Sequence, residues 1–280
     1  MPEIGYLGPE GTFSQEALEI YLGRSDRTDY TPRAFSAMPD ILHAVTDGKI
    51  GEAFVPIENS IEGPVNEVLD MLAFEDGLMI NGEAVIPIKQ NLLALKGTAV
   101  NGITTILSHP QGIGQCRNYL ASYFPQVMLK PVASTAQAAR EVACGEAGLA
   151  AIGSGAAARK YGLDIIRNSI QDNGNNTTRF VVISRNDSAM TGDDKTSIVF
   201  SADDKPGSLY RVLEIFNIWE INLTKIESRP AKDQLGKYIF FVDMNGHRED
   251  EDISDALRMV RRKTSFFKLL GSYKNGGAVK

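Results

Sequence analysis

Hydrophobic and polar positions repeat the same order of elements twice along the first 150 residues. Alternating apolar positions predict strands, and apolar positions three or four apart predict helices. The first pass predicts strand Glu3–Leu7, helix Ser14–Leu22, extended segment Tyr30–Phe35, helix Ala37–Asp47 and strand Glu52–Ile57. The second predicts strand Ile103–Leu107, helix Gly112–Tyr123, strand Val127–Val132, helix Thr135–Ala143 and strand Leu149–Ile152. Each pass is a βαβαβ unit, whose parallel strands need helical crossovers.

The two passes also share residues near their third strand. Val45, Gly48, Gly51 and Ala53 recur as Val142, Gly145, Gly148 and Ala150, at an offset of 97 positions. Together with the repeated order of elements, this match predicts two α/β lobes that are built alike. Ligands of open α/β sheets bind beyond the carboxyl ends of the strands, so a cleft between the lobes is expected.

A third unit follows a polar, aperiodic segment. Its pattern is strand, helix, strand, strand, helix, strand, which is the ferredoxin-like βαββαβ order. The predicted elements are strand Thr196–Ser201, helix Ser208–Trp219, strands Asn222–Glu227 and Lys237–Asp243, helix Ile253–Lys263 and strand Phe267–Leu270. We therefore expect a first domain at 1–185 (lobes 1–80 with 165–185, and 85–164), a linker at 186–194, a second domain at 195–272 and a tail at 273–280.

Composition and charge narrow the class of protein. At roughly 150 residues per domain, a chain of 280 residues with 43% hydrophobic and 23% charged residues is a globular protein of about two domains. Its net charge is 29 − 35 = −6, and the only basic cluster is residues 261–263, so nucleic acid is not an expected partner. No stretch of about 18 apolar residues and no signal peptide is present, which predicts a cytoplasmic protein without a membrane partner.

Cysteine and histidine are too sparse for a metal site or a disulfide framework. The two cysteines, Cys116 and Cys144, lie in segments that are predicted to be helical, and the chain has three histidines. None of these lies at metal-ligand spacing from the others. We expect buried structural thiols and no metal.

Polar turns follow the predicted strands in both lobes, at 8–14 and 58–60 in the first and at 108–111, 134–135 and 153–154 in the second. Hydroxyls, backbone N–H groups and the positive ends of helices favour a small anion, such as a carboxylate or a phosphate. Each turn taken alone is more often simply a helix N-cap. Their recurrence at corresponding strand ends favours a ligand cleft.

The most unusual segment is the polar loop at 171–180. Arg179 offers a planar guanidinium for a carboxylate, Thr178 a hydroxyl that can hydrogen-bond a departing oxygen, and Phe180 an apolar wall. A plain surface loop is the alternative. No nucleotide-binding glycine motif and no Ser/His/Asp arrangement is present, so nucleotide chemistry has little support.

Three motifs together resemble the prephenate dehydratase family: GPEGTFS at 8–14, PIENSIEG at 56–63 and NTTRF at 176–180. The third unit is similar to an ACT domain, with KPGSL at 205–209 and IESRP at 226–230. The resemblance covers essentially the whole chain. It implies conversion of prephenate to phenylpyruvate with loss of water and carbon dioxide, in phenylalanine biosynthesis, without a cofactor or metal. It also implies a two-lobed catalytic domain like that of periplasmic solute-binding proteins.

The family's site residues map onto this sequence position by position. The resemblance implies catalytic roles for Thr178, Arg179 and Phe180, with Thr178 assisting departure of the ring hydroxyl and Arg179 organising the site or meeting a carboxylate. The implied substrate-binding residues are Thr12, Asn59, Ser60, Gln111, Gln115, Ser134, Thr135 and Asn176. Which of the two glutamines, Gln111 or Gln115, points into the cleft stays open at this stage.

The ACT resemblance implies feedback inhibition by L-phenylalanine, bound where two ACT domains pair. The implied binding residues are Gly207, Ser208, Leu209, Asn217, Asn222, Leu223, Glu227, Ser228 and Arg229. A homo-oligomer follows from that pairing, a dimer through the ACT domains and a tetramer as a dimer of dimers. Without the resemblance, Pro206 and Gly207 would be read as a simple turn.

Several alternatives stay open from the sequence. Arogenate, which carries an amine in place of the keto group of prephenate, is an alternative substrate. A non-catalytic carboxylate-binding protein is an alternative function; a transcriptional sensor lacks the basic recognition helix it needs. His109 is either a general acid or a structural hydrogen-bonding group at a helix start, and Glu58 and Glu62 are hinge or capping residues.

Overall fold

A computed structural model describes residues 1–24, 27, 29–231 and 237–277. These residues form three sheets, two in the first two-thirds of the sequence and one in the last third. The first βαβαβ unit and the segment after it comprise β1 (Glu3–Leu7), α1 (Phe13–Arg24), β2 (Thr31–Phe35), α2 (Met38–Thr46), β3 (Glu52–Asn59), β4 (Gly63–Pro64), α3 (Asn66–Phe74) and β5 (Met79–Pro87).

The second lobe repeats this plan. It comprises β6 (Asn91–Ala94), β7 (Thr105–Ser108), α4 (Pro110–Gln115), α5 (Arg117–Tyr123), β8 (Met128–Pro131), α6 (Thr135–Cys144), β9 (Leu149–Gly153), α7 (Gly155–Tyr161) and β10 (Asp164–Arg167). β11 (Thr177–Ser184) then returns to the first lobe. In each lobe the first strand of the βαβαβ unit pairs in parallel with the other two, as predicted.

The two lobe sheets have corresponding strand orders, β2-β1-β3-β11-β5 and β8-β7-β9-β6-β10. In both sheets, the strand next to the three parallel strands is antiparallel to them, and in the chain it comes directly after a crossing between the lobes: β6 in the second lobe and β11 in the first. The chain crosses between the lobes at 88–90 and again at 168–176. The predicted return to the first lobe at residue 165 is wrong, because Asp164–Arg167 still pairs with β6.

The predicted helix Gly112–Tyr123 is two helices, α4 and α5, separated at Cys116. Asp172 from the second crossing explains the break. Its backbone N–H donates to the carbonyl of Gln115 (2.8 Å), and its carboxylate accepts from the N–H groups of Asn118 (2.8 Å) and Tyr119 (3.0 Å). The carboxylate thus caps a new helix start. Gly112, in the first turn of α4, leaves room that a side chain would fill, because a Cβ there would lie 2.6 Å from Ser108 Oγ.

The third sheet has the order β13-β14-β12-β15 and carries two helices. Its elements are β12 (Asp194–Ser201), α8 (Ser208–Ile218), β13 (Leu223–Pro230), β14 (Tyr238–Asn245), α9 (Glu251–Lys263) and β15 (Phe267–Lys274). This is the predicted βαββαβ arrangement, so the predicted fold class is confirmed. The predicted tail starts too early, because Tyr273 is a fully buried residue of β15; residues 278–280 of that tail lie outside the described residues.

The first sheet is covered on both faces. On one face, Phe54 and Phe180 pack against α1. On the other, α2 and α3 share a core with the third sheet, which contributes Val199, Phe241 and Tyr273 among others. The sheets of the two domains approach closely: a Cβ on Gly271, whose φ is +145°, would lie 2.0 Å from the carbonyl oxygen of Ile80. β11 therefore lies between α1 and the C-terminal domain.

Candidate active site

A cleft lies between the two lobes, near both chain crossings. Its inner part is a cavity of about 380 Å³ lined by both lobes. Its outer part has a volume of about 690 Å³ and shares Glu62, His109, Gln111 and Gln115 with the inner part. The cleft lies between the lobes at the polar turns that follow the repeated strands, which is the position predicted from the sequence.

Thr178 and Asn59 form the centre of the inner cavity. They are cross-strand partners on β11 and β3. Asn59 Nδ2 donates to Thr178 Oγ1 at 2.8 Å, and Asn59 Oδ1 accepts from the N–H groups of Ile61 (2.9 Å) and Glu62 (3.0 Å). Since Thr178 Oγ1 already accepts a hydrogen bond, its own proton can be directed at a ligand in the cavity.

Amide side chains connect this pair to the other lobe. Asn59 Nδ2 also lies 2.9 Å from Asn176 Oδ1, and Asn176 Nδ2 donates to Gln115 Oε1 at 3.0 Å. The same oxygen accepts from Gln90 Nε2 (3.0 Å), while Gln115 Nε2 donates to Glu62 Oε1 (3.4 Å). These amides, together with the Thr178 hydroxyl and the Glu62 carboxylate, form one network across the cleft.

Gln90 is a residue that the sequence analysis missed. It is 4% exposed, it lines the inner cavity, and its Oε1 has no hydrogen-bond partner among the described residues. Lys89-Gln90-Asn91 interrupts the apolar run between β5 and β6, and that polar interruption at a lobe crossing is the signal that could have identified it.

Two helices begin at the cavity. Thr12 Oγ1 accepts from the Gln15 N–H (3.4 Å) before α1, and Ser134 Oγ accepts from the Gln137 N–H (3.0 Å) before α6. Both hydroxyls are therefore N-caps. Ser134 and Thr135 line the cavity, as do Phe13 and Ser14 of α1, whereas Thr12, an expected substrate-binding residue, is not a lining residue. The positive ends of both helices face the same space.

Gln111 and Gln115 both line the cavity, so the structure places both glutamines at the cleft. His109 also lines it and caps α4, where its Nδ1 accepts from the Gln111 N–H at 3.3 Å. Phe180 lines the cavity and stacks on Phe54, with ring centroids 4.8 Å apart. Ser60 is not a lining residue. It joins two loops, because its Oγ donates to the Asn175 carbonyl (2.9 Å) and accepts from the Thr177 N–H (3.0 Å).

Arg179 departs from its expected place in the site. Alternate residues of a strand point to opposite faces, so Arg179 points away from the cleft that Thr178 and Phe180 line. Its Nε donates to Glu83 (2.7 Å), its Nη1 to Asp243 (2.5 Å) and its Nη2 to Tyr273 (2.9 Å). The carboxylates that Arg179 contacts, Glu83 and Asp243, belong to the protein, so the expected contact with a substrate carboxylate is wrong; the alternative, that Arg179 organises the site, stays a prediction.

The polar contacts around Tyr273 have one consistent set of proton positions. Burial, together with the Asp243 carboxylate, raises the pKa of Tyr273 well above its ordinary value, so the phenol keeps its proton. Ser197 Oγ donates to Asp243 Oδ1 (2.6 Å), and therefore Tyr273 donates to Ser197 Oγ (2.6 Å) while it accepts from Arg179.

In the C-terminal domain, Gly207, Ser208 and Leu209 line a cavity of about 350 Å³ with Tyr238 and Phe240. The other expected phenylalanine-binding residues lie outside this cavity: Asn217, Asn222, Leu223, Glu227, Ser228 and Arg229. Arg229 instead donates to Asp70 (3.1 Å) and to Asn66 of α3. Its side chain is directed at the first lobe because that face of β13 packs on the catalytic domain.

Neither a metal centre nor a membrane span is found in the described part of the chain. No group of three or more His, Cys, Asp and Glu side chains there could hold a metal ion. No helix within the described ranges has the length and hydropathy needed to cross a bilayer.

Comparison with known proteins assigns both units. The family model for prephenate dehydratase matches residues 4–188, and the ACT domain model matches residues 196–260. A bifunctional chorismate mutase/prephenate dehydratase of Aquifex aeolicus is 43% identical over 97% of this chain and 73% of its own length.

Two solved structures cover nearly all of this chain. A prephenate dehydratase of Arthrobacter aurescens in complex with L-Phe has a TM-score of 0.88 and 35% identity, covering 98% of this chain and 90% of its own. GqqA, described as a novel type of quorum quenching acylase, has a TM-score of 0.85 and 28% identity, covering 97% of each chain. The chain therefore belongs to the prephenate dehydratase family, lyases that form phenylpyruvate from prephenate, and it carries a C-terminal ACT domain.

Proposed function

We propose that Thr178 assists departure of the ring hydroxyl of prephenate in the cleft between the lobes. The observation that carries this role is the hydrogen bond from Asn59 Nδ2 to Thr178 Oγ1. It occupies an acceptor position of the hydroxyl and leaves the Thr178 proton for the departing oxygen. A threonine hydroxyl is too weak an acid to be the net proton source, so Thr178 acts by hydrogen bonding.

The reaction makes modest demands on acid–base chemistry. The bond between the ring and its carboxylate breaks, and its electron pair enters the ring as carbon dioxide leaves. The carbon–oxygen bond to the hydroxyl breaks in turn, and the departing oxygen takes one proton from solvent to become water. Because the ring becomes aromatic, the main tasks are to hold the dianion in a reactive alignment and to stabilise the leaving oxygen.

Neutral donors and helix ends are suited to hold that dianion. The described residues that line the inner cavity include no lysine or arginine. The N-terminal turns of α1 and α6, which reach the cavity through Ser14, Ser134 and Thr135, present backbone N–H groups and a positive dipole end to a carboxylate. Asn176 and Gln115 add amide donors, and Phe180 supplies an apolar surface for the ring.

Assay of phenylpyruvate formation by ultraviolet absorbance tests this proposal. Purified protein should convert prephenate, Thr178→Ala should lose most of the turnover, and Thr178→Ser should retain much of it because the hydroxyl is kept. Arogenate is assayed in parallel. An intact fold with no turnover of either compound would move the assignment to a carboxylate-binding protein or to an acylase like GqqA.

We also propose that L-phenylalanine inhibits the enzyme from the ACT domain. The relative that was solved with L-Phe supports this, as does the cavity at Gly207–Leu209, where Tyr238 and Phe240 offer aromatic surface. Ser208→Val should weaken inhibition while leaving uninhibited turnover unchanged. Equal inhibition of both proteins would place the phenylalanine site elsewhere.

Pairing through the ACT domains is proposed as the basis of a homo-oligomer. β13 is an edge strand, and Ile226 on it is 47% exposed, as is Ile218 (62%) on the adjoining helix α8. Light scattering should give two or four times 30.5 kDa, for the dimer or the dimer of dimers. Ile226→Lys should lower that mass, and a monomeric native protein would contradict the proposal. The cytoplasmic location stays a prediction.

A further inference from the structure

Two neighbouring cross-strand pairs at the end of β3 and β11 face in opposite directions. Thr178 opposes Asn59, and both line the cleft. Arg179 opposes Glu58 in the next register position, and both point to the C-terminal domain. The residues that meet the C-terminal domain are thus bonded directly, along the backbone, to the two residues at the centre of the cleft.

The C-terminal sheet presents a matching pair of opposite charge. Lys225 on β13 opposes Asp243 on β14. Lys225 Nζ lies 2.8 Å from Glu58 Oε2, and Arg179 Nη1 lies 2.5 Å from Asp243 Oδ2. We call these four residues, Glu58, Arg179, Lys225 and Asp243, the charge square.

The ion pairs of the charge square form only when the two sheets are aligned in one register. The side chains of Arg179, Asp243 and Lys225 are 12%, 9% and 11% exposed, so these three charges depend on their partners instead of water, whereas Glu58 is 39% exposed. A slip of either sheet by one residue, roughly 3.3 Å, would separate both pairs at once. Arg179 is held in addition by Glu83 on β5, which also binds Lys195 (2.6 Å) of β12.

We propose that Lys225 and Asp243 of the ACT domain are positioning residues for the reaction: through Glu58 and Arg179 they set the placement of Asn59 and Thr178. The inference rests on the role proposed above for Thr178. A displacement of about 1 Å in a reacting group can cost roughly a hundredfold in rate, so a smaller displacement of the Thr178 hydroxyl is enough to slow the reaction. The other groups proposed to hold the substrate, which are the ends of α1 and α6 and the amides of Asn176 and Gln115, are not immediate neighbours of the charge square along the chain, so substrate affinity should change little.

The decisive variants are Lys225→Gln and Asp243→Asn, which remove one charge each from the C-terminal side without touching the cleft. We expect kcat to fall about tenfold while KM stays within about twofold, since an alignment effect acts on the transition state. Arg258→Gln and Asp255→Asn are matched controls, because these residues form an exposed ion pair within α9. Both controls should retain the native kcat.

Exchange of backbone amides gives a second measurement that does not depend on turnover. Hydrogen exchange of the peptide 177–184 should accelerate in Lys225→Gln and Asp243→Asn and stay unchanged in the two controls. The charge-swapped protein with Glu58→Lys and Lys225→Glu should recover most of the kcat lost in either single reversal. Because a loss of folded protein also lowers the apparent kcat at an unchanged KM, each kcat is divided by the folded fraction measured by circular dichroism, and only a loss that remains after this correction supports positioning.

Native kcat and native exchange in folded Lys225→Gln and Asp243→Asn would overturn the inference. If Asp243→Asn does not fold, Lys225→Gln and the charge swap decide by the same criteria. If the native protein forms no phenylpyruvate, the proposed function fails, and the exchange of peptide 177–184 still shows whether the charge square controls β11.

Discussion

The interlobe cleft and the seam between the two domains are built on the two faces of the same strand, β11, from different chemistry. The cleft joins its lobes with neutral groups, the hydroxyl of Thr178 and the amides of Asn59, Asn176 and Gln115. The domain seam, which we define as the charge square with Glu83, Lys195 and Tyr273, is made mainly of buried ion pairs.

This difference follows from what each region must do. An amide can exchange one hydrogen-bond partner for another at little cost, so a substrate carboxylate or hydroxyl can replace a protein partner in the cleft. A buried charge that loses its partner is strongly destabilised, so the domain seam tolerates one arrangement only. The neutral face can accommodate a ligand while the charged face keeps the strand in place.

The largest expected effect comes from removing the central charge of the domain seam. Arg179→Met leaves Glu83 and Asp243 without their guanidinium, and we expect about 3–5 kcal/mol loss in the free energy of unfolding. Chemical denaturation measures it. Arg159→Gln is the control, because its ion pair with Glu19 is exposed on both sides, and its cost should stay below about 1 kcal/mol. Equal costs for the two variants would show that the seam charges are no better coupled than surface pairs.

A somewhat smaller effect is expected in the cleft from Asn59→Asp. The carboxylate keeps an acceptor for the Ile61 and Glu62 N–H groups, but it cannot donate to Thr178 and it repels an anionic substrate. We expect kcat/KM to fall about a hundredfold, or roughly 2.7 kcal/mol. Asn175→Asp is the control, because it adds the same charge at an exposed position of the neighbouring loop. If kcat/KM falls equally in Asn59→Asp and Asn175→Asp, the added charge alone accounts for the effect.

Gln115→Ala tests the connection between the lobes and should have a moderate effect. It removes the acceptor shared by Asn176 and Gln90 and the donor to Glu62. Loss of these hydrogen bonds should raise KM about tenfold, roughly 1.4 kcal/mol, with a smaller change in kcat. Gln126→Ala, at an exposed position of the second lobe, should leave KM unchanged. A KM for Gln115→Ala that matches the native value would remove Gln115 from the binding network.

The smallest effect concerns Asp194, a buried carboxylate at the start of β12 whose ligands are neutral. Burial alone would raise its pKa, but hydrogen bonds from the Thr191 hydroxyl and from the N–H groups of Thr191 and Gly192 lower the pKa from 3.8. Because these contributions oppose each other, Asp194→Asn should lower the free energy of unfolding by only about 1 kcal/mol at neutral pH.

The pH dependence of that cost has a defined sign. A lowered pKa in the folded state stabilises the protein above the ordinary carboxyl pKa of 3.8, and this contribution disappears as pH falls through the lowered value. Denaturant titrations at several pH values give the free energies of unfolding of the native protein and of Asp194→Asn. These two free energies should therefore converge in acid. A difference that grows in acid would contradict the assignment.

Hydrophobic periodicity determined the elements and their order, because each element buries one face locally. The repeated βαβαβ units, the ferredoxin-like C-terminal domain and the polar turns at the strand ends were all predictable from it, and the family motifs pointed to Thr178, Asn59 and Gln115. The break at Cys116 was not predictable, since the carboxylate that caps α5 comes from Asp172, more than fifty residues away in sequence.

Tertiary structure decided which face of β11 borders the cleft and which borders the C-terminal domain. In sequence, Thr178 and Arg179 are adjacent parts of one motif; in the fold, strand alternation directs one at the cleft and the other at Asp243 and Tyr273. The same holds for Gln90, whose partner Gln115 belongs to a helix of the second lobe, and for Tyr273, which sequence placed in a tail. Contacts between residues distant in the chain depend on how the sheets pack, and local pattern carries no information about that packing.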